Sequence, residues 1–514
     1  MMKTRMKKLM RLGVAGLFAF SLGLAPALLG STDASAVPAA HPVTVPDIDL
    51  TTEGTITIHK YLTDVPSTTP GTGDSSDAAK IPSGATKLSN VNFLVKKVPL
   101  DKDINTFDGF KAAAAMTVAQ AQAKTESVEG EKVTTVNGEI QVTEIQGAKL
   151  TPGVYLIQEE ASPHATPLEK GKTLVPAAPF LVMLPITDPE FRTSWNYDVH
   201  VFPKNQKTGS LKTVTDRNTA ENPGGTPVEK IEDVQAGDSI SFDIKADVPP
   251  FAEGKKLETF TFTDSLDPEK LEPLNPTNPA LGVEEVYVEG SETNSNLIEN
   301  TDYEVTYTAE TQTYEVALTE AGLTKVGGIT KGGTGFKVVV TIVAKVKPFS
   351  DAVTNPGKIE NTATVVTNNG SGKVTTTTNT TETYHGKLII HKQDKDKKPL
   401  EGAVFNLYKC TGTSGNIKLE GNMIMVNDVS EWETGENGEV AIEGLHVTDF
   451  ANSAGVSDPV FDYCLVETKA PEGYELLPEP VKVSFAKDEL FGDGVTTVGV
   501  KTVEIENVPT TTPW

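Results

Sequence analysis

Three short segments occur twice in this chain, in the same order, once near its beginning and once near its end. GlyThrIleThrIleHisLys at 54–60 returns as GlyLysLeuIleIleHisLys at 386–392. Two further pairs follow in step: 90–97 with 402–409, and 155–159 with 463–467. Ordered segments that recur in this way indicate two copies of one folding unit. The first and last parts of the chain are therefore predicted to share a fold.

Short runs of alternating polar and apolar residues, separated by turn residues, occur along the whole chain. Examples are ThrIleThrIle at 55–58, SerIleSerPheAspIle at 239–244 and PheThrPheThr at 260–263. This alternation is typical of strands with one buried face and predicts an all-β protein of β-sandwich domains. One stretch, Phe107 to Val128, contains four consecutive alanines and is predicted to be a small helical insertion in the first domain.

The length after residue 36 suggests three domains, and the repeat indicates where they divide. The predicted boundaries are 37–204 for the first domain, 205–384 for the middle domain and 385–508 for the last. ThrThrThrThrAsnThrThr at 375–381 is predicted to be a short linker, and we treat its glycosylation sequon, which begins at Asn379, as a chance match. Residues 509–514 are expected to begin a stalk.

The first 36 residues predict a secretory signal peptide. Five basic residues precede an apolar stretch from Leu12 to about Leu29, and Ala34-Ser35-Ala36 provides a cleavage site. Removal takes away five positive charges and one negative charge, so the formal charge changes from −25 to −29. Such an acidic, secreted chain is not expected to bind nucleic acid.

The two cysteines, Cys410 and Cys464, are far apart and do not form a C-x-x-C motif. In an exported chain this pair indicates one structural disulfide, with a catalytic or metal-binding pair as the alternative. The seven histidines show no H-E-x-x-H or other metal-binding spacing, and no nucleophile elbow or phosphate loop occurs. We expect no cofactor, no metal ion and no turnover catalysis.

Apolar strand faces in all three domains end in a lysine, an acid or an asparagine when each strand is divided into its two faces. The sets are Lys392, Glu467 and Asn507 in the last domain, Lys212, Asp264 and Asn361 in the middle domain, and Lys60, Glu159 and Asn205 in the first. The first-domain set is a candidate only, because Pro203 interrupts the strand before Asn205. Three aspartates compete with Asp264 for the acid role: Asp238, Asp243 and Asp247.

A lysine, an acid and an asparagine that are buried together can react. Burial disfavours charge, so it lowers the pKa of the amine and raises that of the carboxyl. A neutral amine can then attack the asparagine side-chain carbonyl, polarised by the protonated carboxyl, and loss of ammonia leaves a Lys–Asn isopeptide bond. The alternative, polar residues that only reach solvent at strand ends, explains one such set better than it explains several.

The segment TrpAsnTyrAspValHisValPheProLys, Trp195 to Lys204, ends the first domain. Its lysine lies on the strand face opposite Val199 and Val201, so Lys204 is expected to stay exposed at a groove. An ordinary surface lysine would not need the tryptophan, the spaced valines and the Phe202-Pro203 pair.

These features together resemble a known family. Segments 387–392, 399–407 and 463–474 are similar to Cna-B domains, and 195–204 resembles the pilin motif WxxxVxVYPK, with Phe202 in place of tyrosine. The whole mature chain resembles SpaA-type major pilins of Gram-positive bacteria. The resemblance implies three tandem immunoglobulin-like domains of the Cna-B and Cna-A types and a location on the cell wall.

The resemblance also implies the chemistry of each site. It implies the bonds Lys212–Asn361, with Asp264 as catalytic acid, and Lys392–Asn507, with Glu467; some members also bond the first domain, here Lys60–Asn205 with Glu159. It places the disulfide of some members at Cys410–Cys464. In the family, a sortase joins the motif lysine, here Lys204, to the next subunit.

The implied partners are identical pilin subunits, a pilin-specific sortase, tip or minor pilins and a host receptor that the sequence does not identify. The family's LPxTG sorting signal does not occur in the sequence, which ends at Trp514, and we interpret this as truncation. The alternative function is a monomeric wall-anchored adhesin built from the same domains, which would not need the pilin motif.

Overall fold

The computed structural model describes residues 47–62, 71–217, 232–251, 255–290, 295–348, 357–370, 372–457 and 461–511. The predicted signal peptide, 1–36, and the end of the predicted stalk, 512–514, lie outside these ranges. Within them, strands dominate the secondary structure, which confirms the predicted all-β fold. No helix in the described part of the chain has the length and apolarity to cross a membrane.

The first domain is built around two main sheets that face each other. Its strands are β1 Thr55–His59, β2 Tyr61–Leu62, β3 Thr86–Lys87, β4 Asn92–Val98, β5 Glu131–Thr134, β6 Glu139–Val142, β7 Glu144–Ile145, β8 Ala148–Lys149, β9 Gly153–Glu159, β10 Lys172–Val175, β11 Phe180–Leu184, β12 Ile186–Thr187, β13 Trp195–Asn196 and β14 Asp198–Val201. The two main sheets have the orders β14-β1-β6 and β11-β9-β4-β5. Ile58 of β1 and Phe93 of β4 meet in one core between these sheets.

The predicted helical insertion is present as two short helices, α1 Phe107–Ala114 and α2 Val118–Lys124. The helix is interrupted between them because Thr117 caps the start of a new helix. The Thr117 hydroxyl accepts a hydrogen bond from Gln120 N, and the Gln120 side chain accepts one from Thr117 N. This reciprocal cap satisfies donors that the first turn would otherwise leave unpaired.

The middle domain also has two main sheets. Its strands are β15 Lys204–Thr215, β16 Ser239–Asp247, β17 Thr259–Ser265, β18 Leu271–Pro273, β19 Val283–Glu289, β20 Ser295–Asn296, β21 Tyr303–Thr308, β22 Thr313–Leu318, β23 Lys337–Val346, β24 Lys358–Asn361, β25 Ala363–Asn368 and β26 Lys373–Thr377, with helix α3 Glu320–Thr330. One sheet contains β19-β23-β16-β15, and the other has the order β21-β22-β17-β25-β26. Alternate residues of β16 and β17 pack between them.

The last domain repeats the arrangement of the first. Its strands are β27 Thr381–Gln393, β28 Val404–Thr411, β29 Lys418–Glu420, β30 Trp432–Glu433, β31 Glu439–His446, β32 Phe450–Ala451, β33 Ala454–Gly455, β34 Asp462–Lys469, β35 Val481–Val483 and β36 Val500–Glu506, with helix α4 Lys487–Phe491. The first and last strands are parallel neighbours here, β27 with β36, as β1 is with β14. The first and last domains therefore share a fold, as the repeat predicts.

Single strands run through both predicted domain boundaries. β15 pairs with β2 and β10 of the first domain and, further along, with β16 of the middle domain. β27 pairs with β24 at its start and with β31 and β36 beyond it. Each boundary, which stays a prediction, therefore lies within a continuous strand.

The predicted linker at 375–381 is wrong. Residues 375–377 belong to β26, Thr381 begins β27, and only Thr378 to Thr380 lie between these strands. Threonine is β-branched and suits a strand, so the tract adds to the sheet instead of separating two domains.

A buried network of charged side chains joins the middle and last domains. Asp216 accepts from His446 Nε2 at 2.9 Å. Asp233 pairs with Arg217 and lies 2.9 Å from Lys409 Nζ, while Arg217 Nη2 donates to a last-domain carbonyl, that of Thr448, at 2.9 Å. Because buried charges are tolerated only when paired, this network favours one arrangement of the two domains.

Candidate functional site

The predicted set of the last domain is brought together by the parallel pairing of its first and last strands. Lys392 lies in β27 opposite Ile505 of β36, and Asn507 follows β36 directly. Glu467 projects from β34 of the facing sheet. Lys392 Nζ contacts Asn507 Oδ1 and lies 3.4 Å from Glu467 Oε1, and Asn507 Nδ2 donates to the same Glu467 oxygen at 3.0 Å. All three residues are buried.

The predicted set of the middle domain meets in the same way. Lys212 projects from β15, Asp264 from β17, and Asn361 ends β24. Lys212 Nζ lies 2.6 Å from Asp264 Oδ1, and Asn361 Nδ2 is 3.5 Å from Asp264 Oδ2. Lys212 Nζ and Asn361 Oδ1 have no well-directed hydrogen bond among the described residues.

The competing aspartates face other partners. Asp238 accepts from Gln235 N at 2.9 Å, Asp243 accepts from Thr341 Oγ1 at 2.7 Å, and Asp247 lies 2.6 Å from Lys172 Nζ. Among the four candidates, Asp264 is therefore the carboxylate in contact with Lys212.

The first domain contains a third set with the same contacts. Lys60 lies between β1 and β2, Glu159 ends β9, and Asn205 is the second residue of β15. Lys60 Nζ lies 2.6 Å from Glu159 Oε2, and Asn205 Nδ2 donates to Glu159 Oε1 at 2.5 Å. Lys60 and Asn205 are at most 1 % exposed. Pro203, which weakened this candidate in the sequence, contributes its carbonyl 3.3 Å from Lys60 Nζ.

Burial sets the electrostatics of these lysines. Desolvation lowers the pKa of Lys60, Lys212 and Lys392, against the opposing pull of the neighbouring carboxylates. Desolvation raises the pKa of Asp264, although Lys212 opposes that shift. In the middle-domain set, burial thus acts toward a neutral amine and a protonated acid, the protonation states that favour nucleophilic attack.

A phenylalanine ring lies beside each buried amine, a feature that the sequence interpretation missed. Lys60 Nζ is 5.3 Å from the Phe93 ring centre, Lys212 Nζ is 5.0 Å from that of Phe242, and Lys392 Nζ is 5.8 Å from that of Phe405. Phe93 and Phe405 occupy the same position in the second repeated segment, a signal that could have identified them. These rings exclude water while still attracting a residual positive charge.

The carboxyl of each set faces both the amine and the amide nitrogen of asparagine. The sequence predicts that the acid polarises the carbonyl oxygen. In these contacts the carboxyl lies instead against the amide nitrogen, where it can relay a proton from the attacking amine to the leaving nitrogen.

The two cysteines form a disulfide between β28 and β34, with Cα atoms 5.8 Å apart. The predicted disulfide is confirmed.

The segment Trp195 to Lys204 is anchored to the first domain by its large side chains. Trp195 packs against Phe110 of α1, with ring centres 5.6 Å apart, and Val199 is buried. The ring of Phe202 stacks on His59, with centres 4.5 Å apart. Lys204, by contrast, is exposed, as its strand parity predicts.

Lys204 lines a cavity of about 440 Å³ beside this segment. The cavity walls are mostly apolar and include Phe180 of β11, Phe202 and Pro203. A short 3-10 helix, Ser75–Lys80, closes another side, held by the carboxylate of Asp77, which accepts from Gly73 N at 3.1 Å. Partial desolvation lowers the pKa of Lys204, so a neutral amine is more accessible here than on an open surface.

Comparisons with known proteins agree with this architecture. A family profile described as Gram-positive pilin subunit D1, N-terminal domain, matches residues 51–206, and one described as a prealbumin-like fold domain matches residues 386–496. The chain is 31% identical over 509 residues to fimbrial subunit type 1 of Actinomyces viscosus, covering 91% of this chain and 86% of the relative.

Two further similar proteins are also a fimbrial subunit and a major pilin. Fimbrial subunit type 2 of Actinomyces naeslundii is 27% identical over 507 residues, covering 91% of this chain and 85% of that protein. The full-length major pilin SpaD of Corynebacterium diphtheriae superposes with a TM-score of 0.67 at 29% identity, covering 91% of this chain and 99% of that structure.

Proposed function

This chain belongs to the family of Gram-positive fimbrial subunits, and from that premise we propose that it is the major, shaft-forming subunit of a covalently polymerised surface pilus. The observation that carries the proposal is the environment of Lys204. Every other lysine of the proposed cross-links is buried, whereas Lys204 is exposed at an apolar cavity, at the end of a segment fixed by Trp195 and Phe202.

In the proposed polymerisation, a sortase presents the next subunit as a thioester. The neutral Nζ of Lys204 attacks the thioester carbonyl, an amide bond forms, and the sortase thiol leaves. Tip or minor pilins are the other expected partners, and the fibre supports adhesion at the cell wall. The lowered pKa of Lys204 favours this attack because an ammonium group has no free electron pair.

The three buried sets are proposed to form intramolecular isopeptide bonds. In each, a bond forms between lysine Nζ and asparagine Cγ, the bond from Cγ to Nδ2 breaks, and ammonia leaves with the proton relayed by the carboxyl. The resulting bonds are Lys60–Asn205, Lys212–Asn361 and Lys392–Asn507. Each closes a loop in the chain, which limits how far the residues inside that loop extend under pulling force.

β15 connects the two kinds of linkage. It begins at Lys204 and contains both Asn205 and Lys212, so a force applied at Lys204 enters a strand that the first-domain and middle-domain bonds hold. This arrangement supports a load-bearing shaft over a monomeric adhesin, which has no need of a linkage point there.

The test is Lys204→Ala in cells that assemble the pilus, with cell-wall extracts run on a denaturing gel. We expect the high-mass ladder to disappear and a single subunit band to remain. The matched control is Lys207→Ala, three residues further along β15, whose side chain forms a 2.7 Å ion pair with Glu169. A ladder that persists in Lys204→Ala would favour the monomeric adhesin.

A further inference from the structure

The four residues 378–381, part of the tract that composition had suggested was a linker, contact the backbone of both reactive residues of the middle domain. Asn379 Oδ1 accepts from Lys212 N at 2.9 Å, and Asn379 Nδ2 donates to Lys212 O at 2.9 Å. Thr381 Oγ1 donates to the backbone oxygen of Asn361 at 3.2 Å. One short segment therefore holds the lysine strand and the asparagine strand together.

Asn379 occupies the place of a missing strand. On one side of β15, Lys212 lies opposite Ile244 of β16. On the other side, β10 pairs with β15 only as far as Gly209, and no strand among the described residues pairs with Lys212 there. The side-chain amide supplies one donor and one acceptor to the N–H and C=O that a ladder would otherwise satisfy.

The segment is itself fixed to the bend between β24 and β25. Thr378 N donates to Ala363 O at 2.9 Å, and Ala363 N donates to Thr378 Oγ1 at 3.0 Å. The hydroxyls of Thr380 and Thr362 are 2.9 Å apart. The segment that carries Asn379 is thus bonded to the chain next to Asn361, while the Asn379 side chain is bonded to the Lys212 backbone. The spacing between β15 and β24 therefore depends on the Asn379 side chain.

We propose that Asn379 is a positioning residue for the Lys212–Asn361 bond. It touches no reacting atom; it fixes the backbone of Lys212, and so the direction of the Cα–Cβ bond that carries the amine toward Asn361. Amide formation needs the reacting atoms about 3–3.5 Å apart, and a misplacement of about 1 Å can cost roughly a hundredfold in rate. This inference rests on the proposed isopeptide chemistry of the middle domain.

The experiment follows bond formation in the complete mature chain made by cell-free translation. Samples taken over time are digested, and mass spectrometry quantifies the linked peptides that contain Lys212–Asn361 and Lys392–Asn507. In Asn379→Ala we expect the middle-domain link to form roughly tenfold more slowly, while the last-domain link keeps its rate. Asn379→Asp keeps the acceptor but lacks the donor, and its rate should lie between those of the wild type and the alanine variant.

Thr375→Ala is the matched control, since it removes an exposed side chain of the same threonine tract, on β26, that takes no part in anchoring Asn379. Its links should form at wild-type rates. Two results would overturn the inference: an unchanged middle-domain rate in Asn379→Ala, or equal slowing of both links, which would indicate a general folding defect. A wild-type chain without any middle-domain link would instead reject the proposed isopeptide chemistry at that site, and this inference with it.

Discussion

Lys204 and Asn205 are consecutive residues of β15, yet their side chains lie on opposite faces of the strand. Lys204 is exposed, whereas Asn205 is 1 % exposed and donates to Glu159. Because strand residues alternate between faces, the proposed linkage between subunits and the proposed bond within the first domain use adjacent residues without competing for space.

Separate faces predict separate effects of substitution. We expect Asn205→Ala to remove the Lys60–Asn205 bond while the high-mass ladder built through Lys204 persists. The first measurement is the mass of the purified chain, and the second is the denaturing gel of cell-wall extracts. Loss of the ladder in a folded Asn205→Ala protein would show that polymerisation depends on the first-domain bond.

Three complete sets predict three losses of ammonia. After reduction of its disulfide, the recombinant mature chain should be lighter than its sequence mass by about 51 Da, because each of the three isopeptide bonds releases one ammonia of about 17 Da. The variants Lys60→Ala, Lys212→Ala and Lys392→Ala should each lack one loss. High-resolution intact-mass spectrometry measures this directly. Loss of only two ammonia molecules, with both other bonds mapped, would mean that the first domain is unbonded despite its contacts. No loss of ammonia would reject the proposed isopeptide bonds.

If Asp264 is the acid of the middle-domain set, an isosteric replacement should preserve the fold but prevent the Lys212–Asn361 bond. Asp264→Asn should leave Lys212 and Asn361 unlinked, because an amide side chain cannot relay a proton. By the loop-closure relation, the missing cross-link should lower the free energy of unfolding of the middle domain by about 4–5 kcal/mol. Peptide mapping and denaturant unfolding measure the two effects. Asp243→Asn, in the same domain but bonded to Thr341, is the control and should retain the link.

The junction between the middle and last domains predicts sensitivity to acid. His385 is fully buried, and its Nε2 donates to Val234 O at 2.8 Å. Desolvation, and next the neighbouring His446, lower the pKa of His385 to about 4, although Asp216 and Asp233 oppose the shift. The native state therefore holds a neutral imidazole over a range in which the unfolded chain takes up a proton.

The direction of the pH effect on stability follows from the difference between the folded and unfolded pKa of His385. Stability from a neutral His385 is complete above about pH 6.5 and is lost as the pH falls toward 4, by about 3 kcal/mol in all. His446, whose pKa is raised because Asp216 and Asp233 outweigh its desolvation, is charged in both states only below about pH 5.5; the slope that it adds nearer pH 6.5 is common to the wild type and the variant compared with it. Denaturant unfolding between pH 4 and 7 should show the loss in the wild type and a flatter profile in His385→Asn. Equal slopes in both proteins would contradict this assignment.

Much of the candidate site was predictable from residue spacing alone. A strand has a side-chain period of two, so a lysine placed two and four residues after buried apolar residues must share their face, as Lys392 does with Ile390 and Leu388. The same rule assigned Lys204 to the opposite face. The repeat predicted the shared fold because each copy buries equivalent positions.

The two features that the sequence did not predict, the role of the threonine tract and the buried charged network, both depend on contacts between residues far apart in the chain. The threonine tract around Asn379 has the composition of a linker, and only its contacts with Lys212 and Asn361 show that it belongs to the sheet. The charged network of Asp216 and His446 brings together residues far apart in the sequence, which no local pattern indicates.

The sequence by itself determined which residues are candidates for the reaction and on which face of a strand each lies, because strand period and side-chain chemistry are local properties. Only the tertiary structure decided which of them meet. It placed Asp264, and not Asp243, beside Lys212; it completed the first-domain set around Glu159; and it brought Asn379 to the open edge of β15. These contacts depend on how separate sheets pack, and packing is a property of the whole fold.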